Sequence, residues 1–263
     1  MKNKILIIFI LLFIIIWSIF IEPNLLSVKT YKVFDNQLSG IKIVLVGDFH
    51  IKQNQTKQLK QVVSLINKQN ADVVLSIGDF VNGHNKKMTL PIENIAAELK
   101  YINKPFYTVL GNHDWWFDGE KITKELTNNK IKVLENNNSK INIKNKIIYL
   151  AGVTDPVTQK PDVFSALDNT QTPTILLTHS PDIFPIIPNN VNLTLAGHTH
   201  GGQVRLPIIG SIITPSEYGN KYSYGYINEN NKKMIITKGL GTSILPIRFN
   251  CLPEVVVIEF ISE

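Results

Sequence analysis

"IKIVLVGDFH", residues 41–50, is an apolar run rich in β-branched residues, broken only by Lys42 and stopped by Gly47-Asp48. A short continuous run of this kind fits a strand covered on both faces, and Gly-Asp supplies the turn that ends it. The pattern returns as "ADVVLSIGDF" (71–80) and as "PFYTVLGNHD" (105–114). Leu59, Val62, Val63 and Ile66 lie between the first two runs, spaced to share one face of a helix. Pro91 suits a helix's first turn, and Ile92, Ile95, Ala96, Leu99 and Ile102 continue as its apolar stripe. Strand and helix therefore alternate, which marks an α/β class. The second half is strand-rich: "KVLEN" (132–136), "INIKNKIIYLAGV" (141–153), "TILLTHSP" (174–181), "NLTLAGHTH" (192–200), "KMIITKGLG" (233–241) and "EVVVIEF" (254–260). Few long helical patterns separate these runs, so two packed sheets flanked by helices are expected rather than one doubly wound sheet. "ENNNSK" (135–140) reads as an Asn/Lys-rich turn.

The chemistry collects where the runs stop. Asp48 and His50, Asp79, Asn112 and His113, His179, and His198 with His200 follow five of them. Five of the six histidines fall in this set, and a core histidine has no reason to recur at the same end of successive strands. Ligands of α/β sheets bind beyond the carboxyl ends of the strands. On extended backbone the side chains of i and i+2 point the same way, so Asp48 and His50 would approach a common point, as would His198 and His200. Carboxylate, amide and imidazole donors without thiolate suit Mn²⁺, Fe²⁺ or Zn²⁺ held for chemistry, not a structural zinc knot. His84, in "GDFVNGHNKK", is read as a loop residue outside the set.

Composition excludes several classes. Hydrophobic residues make up 44% and charged ones 18%, the balance of a globular domain and not of a disordered tail. The net charge of +6 comes from scattered lysines, with only two arginines, so no stripe for nucleic acid is expected. The single cysteine, Cys251, excludes an internal disulfide and is expected to pack as a small apolar residue. At the N-terminus "MKNK" leads into "ILIIFILLFIIIWSIFI" (5–21), long enough to cross a bilayer and without a small-residue cleavage site. An uncleaved anchor over 1–22 is expected, then a linker and entry strand over 23–40 and one catalytic domain over 41–263. Lys2 and Lys4 favour a catalytic domain outside the cell membrane by the positive-inside rule; Lys29 and Lys32 oppose that, and orientation stays open.

In order, "GDFH … GD … GNHD … H … GHTH" resembles the signature of the calcineurin-like metallophosphoesterases, across residues 41–203. The resemblance implies a four-layer αββα sandwich of two mixed sheets and two divalent ions, Mn²⁺ foremost. Asp48, His50, Asp79 and His200 would hold one ion. Asp79, Asn112, His179 and His198 would hold the other, with Asp79 bridging. It implies in-line hydrolysis of a phosphodiester or pyrophosphate by a hydroxide between the ions. His113 would steady the transition state or protonate the leaving oxygen, and Asp114 would orient it or stand behind it. Purple acid phosphatases carry a tyrosine ligand three residues after the bridging Asp; Asn82 stands there, so a ferric site is not expected.

The segments "GHTHGGQVRLP" (197–207), "PSEYGNKYSYGY" (215–226) and "KGLGTSILPIRFNCLPEVVVIEF" (238–260) also resemble a bacterial membrane-associated subgroup. That subgroup holds phosphodiesterases and an enzyme of lipid A synthesis that cleaves UDP-2,3-diacylglucosamine, so a phosphorylated small-molecule or lipid-linked substrate is expected. A non-catalytic metal-binding or nucleic-acid-binding protein on the same fold is the alternative of another class, and the intact ligand set argues against it. Arg205 and Arg248 are candidates to touch substrate phosphate or an anionic head group, or to form structural salt bridges. "WWF" (115–117) is either interior packing or a lip toward acyl chains; Asp155 and segment 218–226 are read as loop structure.

Overall fold

The computed structural model describes residues 2–83 and 87–262; His84 lies outside them. β1 (Ser27–Phe34), β2 (Lys42–Val46), β3 (Val73–Ser76), β4 (Phe106–Thr108), β5 (Ile131–Val133) and β14 (Glu254–Ile261) form one six-stranded sheet in the order β1-β14-β2-β3-β4-β5. β6 (Asn137–Ile143), β7 (Lys146–Gly152), β8 (Thr174–Leu177), β9 (Leu193–Ala196), β12 (Gly225–Glu229) and β13 (Lys232–Ile236) form the second, ordered β12-β13-β9-β8-β7-β6. Both are mixed: β2, β3, β4 and β5 run parallel, whereas β14 runs antiparallel to β2. A two-stranded ribbon, β10 (Arg205–Leu206) with β11 (Gly210–Ser211), stands apart.

Alternation along β2 shows why the strands are apolar throughout. Ile43 and Leu45 face the other sheet and pack with Leu75, Ile175, Leu193 and Ile258. Val44 and Val46 face the helices α2 (Thr56–Lys68), α3 (Ile92–Leu99) and α4 (Asn112–Asn128), meeting Leu59, Ile95 and Ile122. On the far side of the second sheet, Leu176 and Ile236 meet Phe184 and Ala166 from a 3₁₀ segment, Pro181–Ile186, and α5 (Val163–Leu167). The layers are thus helix, sheet, sheet and a thin helical cover, with the largest apolar layer between the sheets.

The structure corrects some local expectations. "INIKNKIIYLAGV" is a hairpin: Lys144 and Asn145, with φ of 51° and 64°, turn the chain between β6 and β7. Asn137 to Lys140, expected in a turn, belong to β6. α4 escapes the sequence pattern because its buried apolar face is sparse, Ile122 and Leu126. The expected entry strand within 23–40 is β1, which pairs with β14 over its whole length.

The apolar N-terminal helix, Asn3–Asn24, is 22 residues long and apolar enough to cross a membrane. Its end is tied to the domain. The Glu22 carboxylate, 3% exposed, accepts from Trp17 Nε1 at 2.8 Å and from the Cys251 N–H, and the Arg248 N–H donates to Ser18 O at 2.9 Å.

Candidate metal centre

The loops after β2, β3, β4, β8 and β9 converge at the carboxyl edges of both sheets, which the β2–β3–β4 and β8–β9 parallel pairings place side by side. Asp48, His50, Asp79, Asn112, His179 and His200 are all buried there, and His198 is half-buried. Five of these residues hold left-handed backbone, with φ of 49° at Asp48, 44° at His50, 55° at Asp79, 68° at His198 and 52° at His200. Non-glycine residues avoid this region, and its occupation clusters at functional sites. The i, i+2 pairs therefore do not lie on extended backbone, and each turns its two side chains by its own loop geometry.

The donor atoms gather around two points. His50 Nε2 lies 3.0 Å from His200 Nε2, which is 3.6 Å from Asp48 Oδ1. His179 Nε2 lies 3.0 Å from Asn112 Oδ1 and 3.1 Å from His198 Nδ1. Asp79 Oδ2 stands between the groups, 3.4 Å from His50 Nε2 and 3.3 Å from His179 Nε2. His198 and His200 thus fall on opposite sides of Asp79. Ligand atoms about 2.1 Å from one cation and about 90–109° apart are themselves about 3.0–3.4 Å apart, so the spacing fits donor sets around cations. His50 and His200 turn their Nε2 atoms to the centre, while their Nδ1 atoms are buried with no protein hydrogen bond.

The charge states of three of the histidines agree. Burial lowers His50 and His198 to about 3 and His200 well below its usual range, so these imidazoles are neutral, the form that binds metal. Burial alone would raise Asp79, but the charge and hydrogen bond of His179, with His50, hold it below the usual carboxylate range. Burial, with Asp79 nearby, raises Asp48 to about 7. His179 is lowered by burial but raised more by Asp79 and Asp48, to about 10. Among the described residues the ion-pair partners of Asp48 and Asp79 are histidines. These buried carboxylates call for positive charge that no lysine or arginine side chain supplies at contact. His179 Nδ1 meets Ile77 O at 2.7 Å, which fixes the ring with Nε2 toward the centre.

Glycine is required where backbone passes the donors. A Cβ on Gly111 would strike Asp79 Oδ1 and the His179 ring, and one on Gly239, at φ 70°, would strike the Asp48 side chain.

His113 opens α4, 6% exposed, its backbone N–H donating to Asp79 Oδ1 at 2.9 Å. Its ring stands edge-on to His50, with centroids 4.4 Å apart, and its Nε2 lies 3.4 Å from Ser243 Oγ. Asp114 stands behind the centre, the second of its two readings. Its carboxylate accepts the backbone N–H groups of Asp79 at 2.7 Å, Phe80 at 2.8 Å and Gly111 at 3.1 Å, holding two ligand-bearing loops in register. Arg248 takes the structural side of its two readings. It is 0% exposed, and its guanidinium donates to the carbonyls of Cys251 at 2.9 Å, Lys238 at 2.8 Å, Gly239 and Gly241. Arg205 is half-buried and braces the histidine turn, donating to Gly201 O at 2.9 Å while lying over the Tyr224 ring. Asp155 accepts from the Thr158 N–H and hydroxyl, a loop role, and Thr199 Oγ1 donates to Ser223 O in the Tyr-rich segment at 2.6 Å. "WWF" divides: Trp115 and Phe117 pack on the helical core, whereas Trp116 stands edge-on to His113.

Sequence reading missed Ser243 and Gln203. The Gln203 side chain accepts the Ser243 N–H at 2.8 Å and donates to Ser243 O at 3.0 Å, setting the hydroxyl beside His113. The "GHTHGGQ" and "GLGTS" loops meet there from 40 residues apart, a proximity no local pattern carries. A cavity of about 440 Å³ opens over the centre; Asp79, Asn112, His113, His198 and His200 form its floor and Trp116, Ile213, Ile244 and Leu245 part of its walls.

Comparison with known proteins agrees with this geometry. The chain is 30% identical over 250 residues to the metallophosphoesterase YkuE of Bacillus subtilis strain 168, covering 90% of this chain and 86% of the relative. It is 28% identical over 249 residues to the phosphodiesterase YaeI of Escherichia coli strain K12, covering 91% and 90%. Among solved structures, a 5'-nucleotidase precursor from Thermus thermophilus shares the fold, with a TM-score of 0.50 at 11% identity. That match covers 76% of this chain and 49% of the nucleotidase, so the chain spans about half its length. The calcineurin-like phosphoesterase pattern is matched over residues 41–202. The stretch with that match carries every loop that brings a donor to the centre, and the chain belongs to the calcineurin-like phosphoesterases, a family of metal-dependent hydrolases.

Proposed function

We propose that this chain is a membrane-anchored phosphodiesterase whose centre holds two divalent cations. Asp48, His50, Asp79 and His200 would hold one, and Asp79, Asn112, His179 and His198 the other. The observation that supports this most is the meeting of seven oxygen and nitrogen donors at 3.0–3.6 Å beneath an open cavity. Carboxylate, amide and imidazole donors suit Mn²⁺, with Zn²⁺ and Fe²⁺ as competitors. Bound there, such a pair polarises phosphoryl oxygens and makes a water acidic enough to attack phosphorus near neutral pH.

His113 Nε2, on the cavity floor, supplies the proton the departing alkoxide needs or steadies charge on it. Ser243 Oγ and the edge of Trp116 hold that ring in place. Among the described residues the cavity lining includes no lysine or arginine, so none of them beyond the centre offsets the second negative charge of a monoester. That asymmetry favours a diester. The apolar walls also support a second reading, a pyrophosphatase acting on a nucleotide-linked diacyl sugar such as UDP-2,3-diacylglucosamine. That reading requires a cytoplasmic catalytic domain, which the positions of Lys2 and Lys4 oppose.

The test is hydrolysis of bis-p-nitrophenyl phosphate, p-nitrophenyl phosphate and UDP-diacylglucosamine by the full chain with Mn²⁺, with and without chelator. Chelator-sensitive turnover of the diester above the monoester is expected. No turnover of any of the three by protein carrying two metal equivalents overturns the enzymatic reading, and preference for the nucleotide sugar selects the second.

A further inference from the structure

Two loops beside the active-site cavity expose aliphatic side chains that a water-facing surface does not keep. Ile208, Ile209, Ile212 and Ile213 flank the β10–β11 ribbon at 107%, 67%, 60% and 75% exposure, and Ile244 and Leu245 stand at 92% and 57%. Contiguous apolar patches of this kind mark contact surfaces. The N-terminal helix indicates what this one meets, because it lies along the same loops: Ile14, Ile15, Ser18 and Ile19 share a second cavity with Val204, Leu206, Ile247 and Phe249. Val204 and Ile247 line the catalytic cavity as well, so the two spaces have a wall in common. Ile14 precedes the docked Glu22 by eight residues, about 12 Å along a helix. Loops packed against Ile14–Ile19 therefore lie level with the apolar part of the helix, not beyond its end.

We propose that the 206–213 and 243–247 loops form a lip that sits in the interface of the bilayer the helix enters, so that a lipid phosphodiester passes sideways from the bilayer into the catalytic cavity. Helix and lip then make one continuous apolar surface, and Ile212, Ile213, Ile244 and Leu245 line the way from that surface to His113. The tail of such a substrate stays among aliphatic side chains while its phosphodiester reaches the centre, so no apolar surface is moved through water. The lip requires only the apolar helix; the substrate class rests on the phosphodiesterase reading.

The experiment uses the full chain in vesicles of phosphatidylcholine and phosphatidylglycerol. An environment-sensitive fluorophore is placed at Ile208→Cys, or at Phe164→Cys on α5, which is 85% exposed; Cys251 is buried and does not compete for label. The label at 208 is expected to shift blue and to be quenched by nitroxide-bearing lipid, and the label at 164 to do neither. Equal water exposure of the two labels overturns the lip. In parallel, Ile208→Asn/Ile209→Asn, which leaves the cavity lining intact, is assayed on hexadecyl p-nitrophenyl phosphate in the vesicles and on bis-p-nitrophenyl phosphate in water. Loss of lipid contact by two aliphatic side chains predicts a drop of about tenfold in kcat/KM for the lipid ester and less than about twofold for the soluble one. Equal rates for variant and parent on the lipid ester, or equal losses on both esters, overturn sideways entry. Failure of the parent on both esters with the 208 label still quenched would sink the phosphodiesterase reading and leave the lip standing.

Discussion

Arg248→Lys separates a structural arginine from one that meets substrate. The guanidinium is fully buried and donates to four main-chain carbonyls, those of Lys238, Gly239, Gly241 and Cys251. These carbonyls belong to the loop that packs on the first candidate ligand: the Leu240 N–H donates to Gly47 O at 3.1 Å and the Gly241 N–H to Asp48 O. A lysine carries three donors on one atom, so at least one carbonyl is left buried without a partner, and the forked geometry is lost. An unpaired buried carbonyl costs about 1–3 kcal/mol and a lost charge-assisted bond about 1.5–3 kcal/mol, which together give about 3–5 kcal/mol. For a chain of this size about 2–4 °C follow per kcal/mol, so the melting temperature should fall by about 6–20 °C. The assay is thermal unfolding of parent and variant, with kcat and KM for bis-p-nitrophenyl phosphate taken well below both transitions. KM should stay within about threefold, because nothing that meets substrate has been removed. An unchanged melting temperature with KM raised tenfold or more would refute the reasoning and return Arg248 to the phosphate.

Other consequences follow from the same geometry. Asp79→Asn weakens a donor shared by both groups, so bound metal measured by elemental analysis should drop from two equivalents to at most one. His113→Ala should keep both ions while kcat falls by about 10²–10⁴-fold, the range for a positioned proton donor. Gly111→Ala drives a methyl into Asp79 and His179, and titration with Mn²⁺ should show weaker binding with the chain still folded. Glu135 is raised by burial from its ordinary 4.5 to about 8, with Asp114 and Asp155 adding, while its Oε1 accepts the Leu110 N–H at 3.1 Å. A raised carboxyl binds its proton more tightly when folded, so its stabilisation is complete below about pH 4.5 and is lost as pH rises through about 8. Glu135→Gln removes that loss; it should melt near the parent at pH 5 and several degrees above it at pH 9.

What the sequence disclosed and what it withheld divide along physical lines. The strands under Val44 and Leu75 were legible because burial on both faces leaves nothing but apolar residues to write the pattern. The donors were legible because Asp48, Asp79 and His198 stand directly after such runs, where a side chain with lone pairs has no packing role. α4 was not, since its first residues, Asn112 to Asp114, are spent on the site and its buried stripe is short. The hairpin at Lys144-Asn145 was hidden because both residues turn left-handed without the glycine that usually marks it. Arg248 stayed open between two roles because guanidinium chemistry serves a cluster of carbonyls as well as it serves a phosphate, and only the path of the 238–251 chain shows the carbonyls. Asp114 stayed open between two roles for a related reason. A carboxylate two residues from the main actors reads as part of the chemistry, when its partners are the N–H groups of Asp79, Phe80 and Gly111.

Left-handed backbone at five candidate ligands ties these observations together. Each such residue costs on the order of 1–3 kcal/mol and persists only where surrounding contacts over-determine it. Here the contacts can be named. The Asp114 carboxylate holds the loop of Asp79, the Arg248 guanidinium holds the loop against Asp48, and the Asp48 carboxylate accepts the His198 N–H at 3.1 Å. Two buried charged side chains therefore serve the backbone while the histidines and aspartates they position face the candidate centre. Charge that would be wasteful in an ordinary core is used to hold loops in shapes they would otherwise leave, and those shapes are what bring donors from five strands around two neighbouring points. The site is in this sense a property of the loops' strain as much as of their sequence. Mutations behind it should act on metal affinity before they act on the reacting groups themselves.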